Sequence, residues 1–329
     1  MITVGKGPIR AGRSTTTEGG IKIGSTGVMP STRLTQPLDG GVRFCAGRPI
    51  STIMTRSFLK MNGTGNDFVV VDSRGGELFR PTADEVRATA NRASGVGCDQ
   101  LIGIETTADA DVFMRIWNAD GAEVGACGNA TRCVGWRILE ESGRNQAVVA
   151  TAAGRLTVFR AGDHRVTVDM DQPRLDWSEI PLFEDMDTRG IELQVGPIDA
   201  PLLHTPGCVN MGNPHVVFFV DDAERAPVVE VGPLIEHHFL FPEGANVGFA
   251  EVQSPGRIRL RVWERGAGLT KACGTGACAA LVAASRRRLS DRHAVVVMDG
   301  GDLQVEWRVE DDHVLMTGDV AVEFSGHLA

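Results

Sequence analysis

The chain has 329 residues and a formal net charge of −9, and this acidic balance disfavours a general nucleic-acid-binding protein, which needs a basic surface. Its length favours two domains of about 130–150 residues each. The apolar run at residues 216–220 is far too short to cross a membrane, so no membrane partner is expected. Seven cysteines without the short spacings of a disulfide framework predict reduced thiols and a cytoplasmic protein.

Residues 1–53 differ in composition from the rest of the chain. They contain ten glycines, seven lysines and arginines, and only two acidic residues, without sustained periodicity. An acid-poor leader of this kind is typical of a transit peptide, but a clear amphipathic helix is lacking. We therefore predict that residues 1–54 are a disordered leader. The alternative is that the translation start is assigned too early and that Met54 is the true first residue.

From residue 58 onwards the pattern becomes regular. Residues 68–71 form an apolar run that predicts a buried strand. A helix is predicted next, because Thr82 can cap its first turn and Glu85 stands at the capping-box position. The elements predicted after it are, in order, a strand at 112–117, a turn at 118–121, a helix at 130–141 that stops at Gly143, and a hairpin of 155–160 with 165–170.

The second part of the chain repeats this order, with strands predicted at 216–220 and 258–263, a turn at 266–268 and a helix at 276–288. The repeat has a nearly constant offset of 146 or 147 residues and predicts a duplicated domain whose halves are related by a pseudo-two-fold axis. The matching segments are Arg115-Ile116-Trp117 with Arg261-Val262-Trp263, Ala126-Cys127-Gly128 with Ala272-Cys273-Gly274, Gly65-Asn66 with Gly212-Asn213, and Gln100 with Asn246.

In each copy, a strand and a glycine-containing turn lead into a cysteine at the start of a helix, Cys127 in the first copy and Cys273 in the second. The unpaired N–H groups and the helix dipole favour an anion there, and they are expected to lower a thiol pKa from about 8.5 to roughly 3.5–7.5. A pseudo-two-fold axis would bring the two cysteines face to face. That arrangement suits inversion of a carbon centre, in which a thiolate removes a proton from one face and a thiol delivers one to the other.

Such a reaction needs no cofactor and no metal, because backbone N–H groups at the two helix starts can hold a substrate carboxylate and stabilise the carbanion. Those groups belong to Gly128, Asn129, Gly274 and Thr275. A pyridoxal-phosphate enzyme is disfavoured, since only four lysines are present. A zinc site is disfavoured by the cysteine spacings, and a Cys–His hydrolase using His215 would leave the second cysteine unexplained. The other cysteines, at 45, 98, 133, 208 and 278, are interpreted as small buried or loop residues.

These residues resemble the diaminopimelate epimerase family over about residues 57–326. The resemblance is carried by eight segments in the right order: 60–68, 99–101, 118–121, 126–129, 211–215, 245–246, 263–268 and 272–276. It implies an α/β (α+β) fold of two pseudo-symmetric domains, each a mixed sheet wrapped around a central helix. The N-terminal domain would comprise 55–172 plus 316–329, and the C-terminal domain 173–315.

The resemblance also implies an activity and a set of site residues. Members interconvert LL- and meso-diaminopimelate on the route to lysine and peptidoglycan and are typically homodimers; Cys127 would be the proton donor and Cys273 the acceptor in the LL-to-meso direction. His215 and Glu264 match positions thought to tune the thiol pKa values. The matched substrate-binding positions are Asn66, Gln100, Asn118, Asn213, Asn246, Glu264 and Arg265, and Arg265 is expected to grip the distal carboxylate.

Three residues depart from the family pattern: Asn62 stands where His is frequent, Thr64 where Leu is common, and Leu269 where Glu usually follows the Gly-Ala-Gly turn. One alternative is a proline or hydroxyproline racemase on the same scaffold, which would not need a grip on a second carboxylate. Another is a non-catalytic binding protein of this fold, which retention of both cysteines and of Arg265 disfavours.

Overall fold

The structure is a computed structural model that describes residues 56–328, so the predicted leader at 1–54 and Cys45 lie outside the described residues. The first half of this range contains β1 (Arg56–Gly63), β2 (Asn66–Asp72), α1 (Ala83–Ala90), β3 (Gln100–Glu105), β4 (Val112–Asn118), β5 (Glu123–Val124), α2 (Gly128–Ser142), β6 (Gln146–Thr151), β7 (Gly154–Gly162) and β8 (Arg165–Asp169).

The second half contains β9 (Gln194–Val195), β10 (Leu203–His204), β11 (Gly207–Asn210), β12 (Pro214–Phe219), α3 (Val228–Glu236), β13 (Asn246–Ser254), β14 (Arg257–Glu264), β15 (Gly268–Thr270), α4 (Gly274–Arg286), β16 (His293–Met298), β17 (Gly301–Trp307), β18 (Val314–Asp319) and β19 (Ala321–Leu328).

The strands of the two halves pair in the same order and with the same directions. β1 is antiparallel to β2, β2 is parallel to β3, β3 is antiparallel to β4, and β4 is parallel to β6, after which β7 and β8 follow antiparallel. The series β11, β12, β13, β14, β16, β17 and β18 repeats every one of these pairings. The predicted duplication is therefore confirmed, and the two mixed sheets join where β8 pairs antiparallel with β18.

Each sheet wraps around one buried helix. Nine residues of α2 are buried, and α4 is buried almost all round because its Ala-rich sequence combines high helix propensity with side chains small enough for strands to approach from every side. Helix α2 ends where predicted, at Gly143, whose left-handed backbone (φ 67°) lets its N–H bond to the carbonyl of Leu139. The fold is thus the expected α+β arrangement of two pseudo-symmetric domains around central helices.

The end of the chain returns to its beginning, since β19 pairs antiparallel with β1 from Arg56↔Leu328 to Asn62↔Ala321. The domain boundaries at 172/173 and 315/316 stay a prediction. None of the helices in the part of the chain described is long and apolar enough to cross a bilayer.

Most predicted elements occur, with shifted ends. The capping box at the start of α1 is present, since Thr82 Oγ1 accepts from the backbone of Glu85 and the Glu85 carboxylate accepts from the Thr82 N–H. Helices α2 and α4 each begin two residues earlier than predicted. Helix α3 is absent from the predicted elements, because Pro227 and Pro233 are residues that usually end or kink a helix.

Candidate active site

The two repeated cysteines occupy the N-cap positions of the two central helices. Cys127 precedes α2 with extended backbone, and its Sγ accepts from the Ala130 N–H at 3.5 Å. Cys273 precedes α4 with the same extended backbone, and its Sγ lies 3.6 Å from Thr275 Oγ1. The short strands β5 and β15 turn the chain into these caps. The position predicted for both thiols, at a helix start, is confirmed.

The two helix starts lie against one side chain, Met316 of β18. A side-chain carbon built on Gly128 would lie 2.9 Å from Met316 Cε, and one built on Gly274 would lie 2.9 Å from Met316 Sδ. The same position on Gly274 is 3.4 Å from Asn129 Oδ1, which belongs to the first turn of α2. The positive ends of two helices therefore converge, which is an arrangement suited to a carboxylate.

The expectation of lowered thiol pKa values is wrong for these surroundings. Burial raises the pKa of the Cys127 thiol to about 11, although the Ala130 N–H opposes this rise. Burial and the neighbouring Glu264 carboxylate raise the pKa of Cys273 well above its ordinary value. Loss of water around the sulfur outweighs the helix N–H groups. Both thiols therefore favour the protonated form in these surroundings.

Glu264 faces both thiols from the end of β14. Its carboxylate accepts from the Thr270 hydroxyl and from the Cys273 thiol, and its charge also acts on Cys127. Burial raises the Glu264 pKa. This carboxylate therefore favours the protonated form of the cysteine to which it is hydrogen-bonded.

Asn66 lies beside Cys127 and is oriented by a carboxylate. Its Nδ2 donates to Asp99 Oδ2 at 2.7 Å, which turns its Oδ1 to a position 3.9 Å from Cys127 Sγ. Asp99 is itself held by Arg92, whose Nη2 donates to Asp99 Oδ1 at 2.6 Å. The sequence interpretation includes Asp99 only within the segment 99–101 and gives neither Asp99 nor Arg92 a role in the site.

Gln100 and Asn118 face each other on β3 and β4, and Gln100 Nε2 donates to Asn118 Oδ1 at 2.9 Å. Two buried oxygens nearby, Gln100 Oε1 and Asn129 Oδ1, have no hydrogen-bond partner within residues 56–328. Unpaired buried acceptors are costly unless a ligand donates to them. A ligand carrying an ammonium group would supply such donors.

His215, in the second half, contacts an amide rather than a thiol. Its Nε2 lies 3.0 Å from Asn213 Oδ1, and the residue is only 1% exposed. Burial, together with the Arg265 charge, lowers the His215 pKa to about 3, so the ring is neutral at physiological pH. The His215 ring therefore holds the Asn213 oxygen and leaves the Asn213 NH₂ group available as a donor.

Asn246 begins β13, and Arg265 directly follows β14, the strand that pairs with β13 in the same half. Asn246 Oδ1 accepts from the Arg265 backbone N–H at 3.0 Å, and Asn246 Nδ2 donates to the Pro214 carbonyl at 2.9 Å. The Arg265 guanidinium donates to the Glu243 carbonyl at 2.7 Å. It lines an open pocket of about 420 Å³ next to Asn213, with Arg174, Asn210, Gly212 and Pro214.

The three departures from the family pattern have distinct surroundings. Asn62 Oδ1 accepts from the Gly65 N–H within the β1–β2 turn, and Thr64 Oγ1 accepts from the buried Arg132 at 2.7 Å. Leu269 is exposed on β15. All six cysteines in the described range are free thiols, and no group of three or more metal-ligating side chains is gathered between residues 56 and 328.

Comparison with known proteins gives a consistent result. The sequence model of the family described as diaminopimelate epimerase matches residues 58–175 and 207–323. A protein named diaminopimelate epimerase from Phenylobacterium zucineum is 62% identical over 279 residues, which is 85% of this chain and 100% of the relative. One of the same name from Caulobacter vibrioides is 56% identical over 287 residues, covering 84% and 98%.

Solved structures with the same fold are much more distant in sequence. A hydroxyproline epimerase from Agrobacterium vitis matches with a TM-score of 0.59 at 16% identity, covering 84% of this chain and 92% of that one. A phenazine biosynthesis protein of the PhzF family from Bacillus anthracis also has a TM-score of 0.59, at 17% identity, covering 84% and 99%. These two likenesses concern the fold alone, whereas the sequence matches show that the chain belongs to the diaminopimelate epimerase family.

Proposed function

We propose that this chain is a diaminopimelate epimerase, an isomerase that interconverts LL- and meso-2,6-diaminopimelate without a cofactor in the biosynthesis of lysine and peptidoglycan precursors. The observation that carries the proposal is the pair of N-cap cysteines, Cys127 and Cys273, on pseudo-equivalent helices whose starts converge on Met316. Relatives that bear this name are 51–62% identical over most of the chain.

In the proposed reaction, one cysteine thiolate removes the Cα proton from one face while the thiol of the other cysteine delivers a proton to the opposite face. Cys127 is the donor and Cys273 the acceptor in the LL-to-meso direction, and the roles exchange in reverse. The backbone N–H groups of Gly128, Asn129, Gly274 and Thr275 hold the carboxylate next to the reacting carbon. That contact stabilises the developing carbanion, since negative charge grows on the carboxylate as the proton leaves.

The remaining polar groups suit a substrate with a second amino-acid end. Glu264 and the unpaired oxygen of Gln100 are acceptors for ammonium groups. Arg265 and the NH₂ group of Asn213 are donors for the distal carboxylate. Asn66, Asn118 and Asn246 complete the proposed set. Proline and hydroxyproline have no distal carboxylate, so this donor cluster favours diaminopimelate over the racemase alternative.

We further propose that the enzyme acts as a homodimer in the cytoplasm. The reduced state expected of its thiols supports the compartment, and the family resemblance supports the dimer. Light scattering after size-exclusion chromatography tests the dimer directly: a mass near twice that of the chain is expected, and a monomer at micromolar concentration would contradict it.

The decisive experiment is incubation of the purified protein with meso-diaminopimelate in D₂O under reducing conditions. Deuterium at one α-carbon together with formation of the LL isomer is expected. Absence of exchange would refute the proposal. Exchange with proline or hydroxyproline, but not with diaminopimelate, would support the racemase on the same scaffold.

Replacing either catalytic cysteine should remove epimerisation. Cys127→Ala and Cys273→Ala are each expected to lower kcat by about 10²–10⁴-fold, the usual contribution of a positioned acid or base. Cys208→Ala is the control, because Cys208 is a buried free thiol on β11 that the proposed reaction does not use. Full activity in Cys273→Ala would contradict the two-base scheme.

A further inference from the structure

Arg132 is the largest fully buried side chain of the protein's described part, and it lies in α2 five residues after Cys127. Its Nη2 donates to Thr64 Oγ1 at 2.7 Å and its Nη1 points at Met316 Sδ at 3.6 Å. Its Nε has no hydrogen-bond partner, and no carboxylate between residues 56 and 328 forms an ion pair with it. Arginine keeps its charge in proteins, so this is a buried cation without a fixed counter-ion, which is a costly arrangement.

The guanidinium lies behind the start of its own helix. Helical side chains tilt towards the N-terminus, and glycine at 63 and 318 makes room for this one: a carbon built on Gly318 would lie 3.0 Å from Arg132 Nε. The titratable groups that act on it are, from the strongest to the weakest, the thiols of Cys133 and Cys127 on α2, the thiol of Cys278 on α4 and the carboxylate of Asp319 at the end of β18.

The two halves differ in charge at equivalent positions. At the offset of 146, the counterpart of Arg132 is Cys278, and the counterpart of the carboxylate Glu264 is the neutral Asn118. A positive charge therefore lies behind Cys127 with no equivalent behind Cys273. A negative charge is hydrogen-bonded to Cys273, and the same carboxylate acts on Cys127 only through space.

We propose that Arg132 is a positioning residue that makes Cys127, rather than Cys273, the cysteine that ionises, while Glu264 keeps the proton on Cys273. This inference rests on the proposed two-cysteine function. In the step that follows, the Cys127 thiolate takes the Cα proton and the Cys273 thiol gives its own proton to the carbanion, so one proton enters and one leaves and the negative charge ends on Cys273. The ionised enzyme is then the form that accepts the meso isomer.

The test is the rate of iodoacetamide alkylation at Cys127 between pH 7 and 10, where the rate is proportional to the thiolate fraction, followed by peptide mass spectrometry, with circular dichroism to confirm the fold at each pH. Arg132→Met keeps the volume and removes the charge, and it is expected to lower the rate at Cys127 by about 10-fold. Arg132→Lys keeps the charge and is expected to stay close to the parent. An unchanged rate in folded Arg132→Met would overturn the proposal.

A second pair of variants covers the case in which Arg132→Met does not fold. Thr64→Val removes the hydroxyl that holds the guanidinium, and it should lower the alkylation rate at Cys127 by about 2–3-fold. Thr188→Val is its matched control, because Thr188 Oγ1 accepts from Arg286 at 3.0 Å in the same way at the far end of α4. Equal rates in Thr64→Val and Thr188→Val would contradict the proposal. Alkylation needs no turnover, so these outcomes are independent of whether diaminopimelate is a substrate.

Discussion

Single residues show how two similar halves can build a site with two different ends. The pseudo-equivalent amides Asn66 and Asn213 are held in opposite senses. Asp99 takes the NH₂ group of Asn66 and leaves its oxygen to face Cys127, whereas His215 holds the oxygen of Asn213 and leaves its NH₂ group available. One half thus presents an acceptor where the other presents a donor, as a substrate with both ammonium and carboxylate groups requires.

Glu264→Gln should separate activity from stability. Burial raises the Glu264 pKa. At pH values just above the usual pKa of a glutamate, the Glu264 carboxyl is therefore still protonated in the folded protein but has lost its proton in the unfolded chain. The free energy of unfolding therefore falls as the pH rises through that window. The variant should lose this dependence, melt at a higher temperature near neutral pH, and epimerise about 10–100-fold more slowly. Thermal melts from pH 5 to 8 measure the pH dependence of stability, and the exposed Glu306→Gln is the control. A lower Tm in Glu264→Gln than in the parent at pH 8 would contradict the prediction.

His215 should make the protein sensitive to acid. Its pKa is lowered to about 3 by burial, so between that value and its usual pKa of 6.5 the unfolded chain binds a proton that the folded one does not. Proton binding by the unfolded chain therefore does not affect the free energy of unfolding above pH 6.5. It lowers this free energy increasingly as the pH falls, by about 2 kcal/mol at pH 5. Urea unfolding measures the free energy at pH 7 and at pH 5. Between these pH values, His215→Gln should lose about 2 kcal/mol less than the parent. The exposed His293→Gln is the control, and an equal loss in His215→Gln would count against the argument.

At the scale of elements, the central helix α4 supports the site through its burial on all sides. α4 has 13 residues, ten of them buried, and its run of alanines lets the sheet close around it. A central helix of this kind has no free face, so added volume has nowhere to go.

Ala280→Leu is therefore expected to cost about 1–3 kcal/mol of the free energy of unfolding, since Ala280 is fully buried and the extra carbons must displace neighbours. Urea denaturation measures the loss. Ala88→Leu, on the exposed face of α1, should change the free energy by less than about 0.5 kcal/mol. Equal effects at the two positions would show that α4 tolerates volume and that its packing is looser than described.

At the scale of the whole molecule, two turns from different halves meet beside the site. Gly65, in the β1–β2 turn, has φ 76°, and a carbon built on it would lie 2.5 Å from Gly300 Cα in the β16–β17 turn. Gly300 also donates its N–H to the carbonyl of Lys271, two residues before Cys273. The contact therefore links the turn that precedes Asn66 to the loop that carries the second cysteine.

Gly300→Ala should push these turns apart, because its Cβ would lie 2.5 Å from the Thr64 carbonyl oxygen. Displacing catalytic groups by about 1 Å costs on the order of 10²-fold, so kcat/KM should fall to that extent while far-UV circular dichroism stays unchanged. Gly256→Ala is the control, since nothing lies within 4 Å of a carbon built there. Parent-like activity in Gly300→Ala would show that the turn contact does not position the site.

The duplication, the helix starts at Cys127 and Cys273, and the family can be read from the amino-acid sequence, because repeated patterns and capping residues are visible in the linear order. The fold alone sets the pairing of β8 with β18 and of β19 with β1, the burial that raises rather than lowers the thiol pKa values, and the isolated charge of Arg132. Each of these depends on which distant segments exclude water from a group, and no local pattern records that.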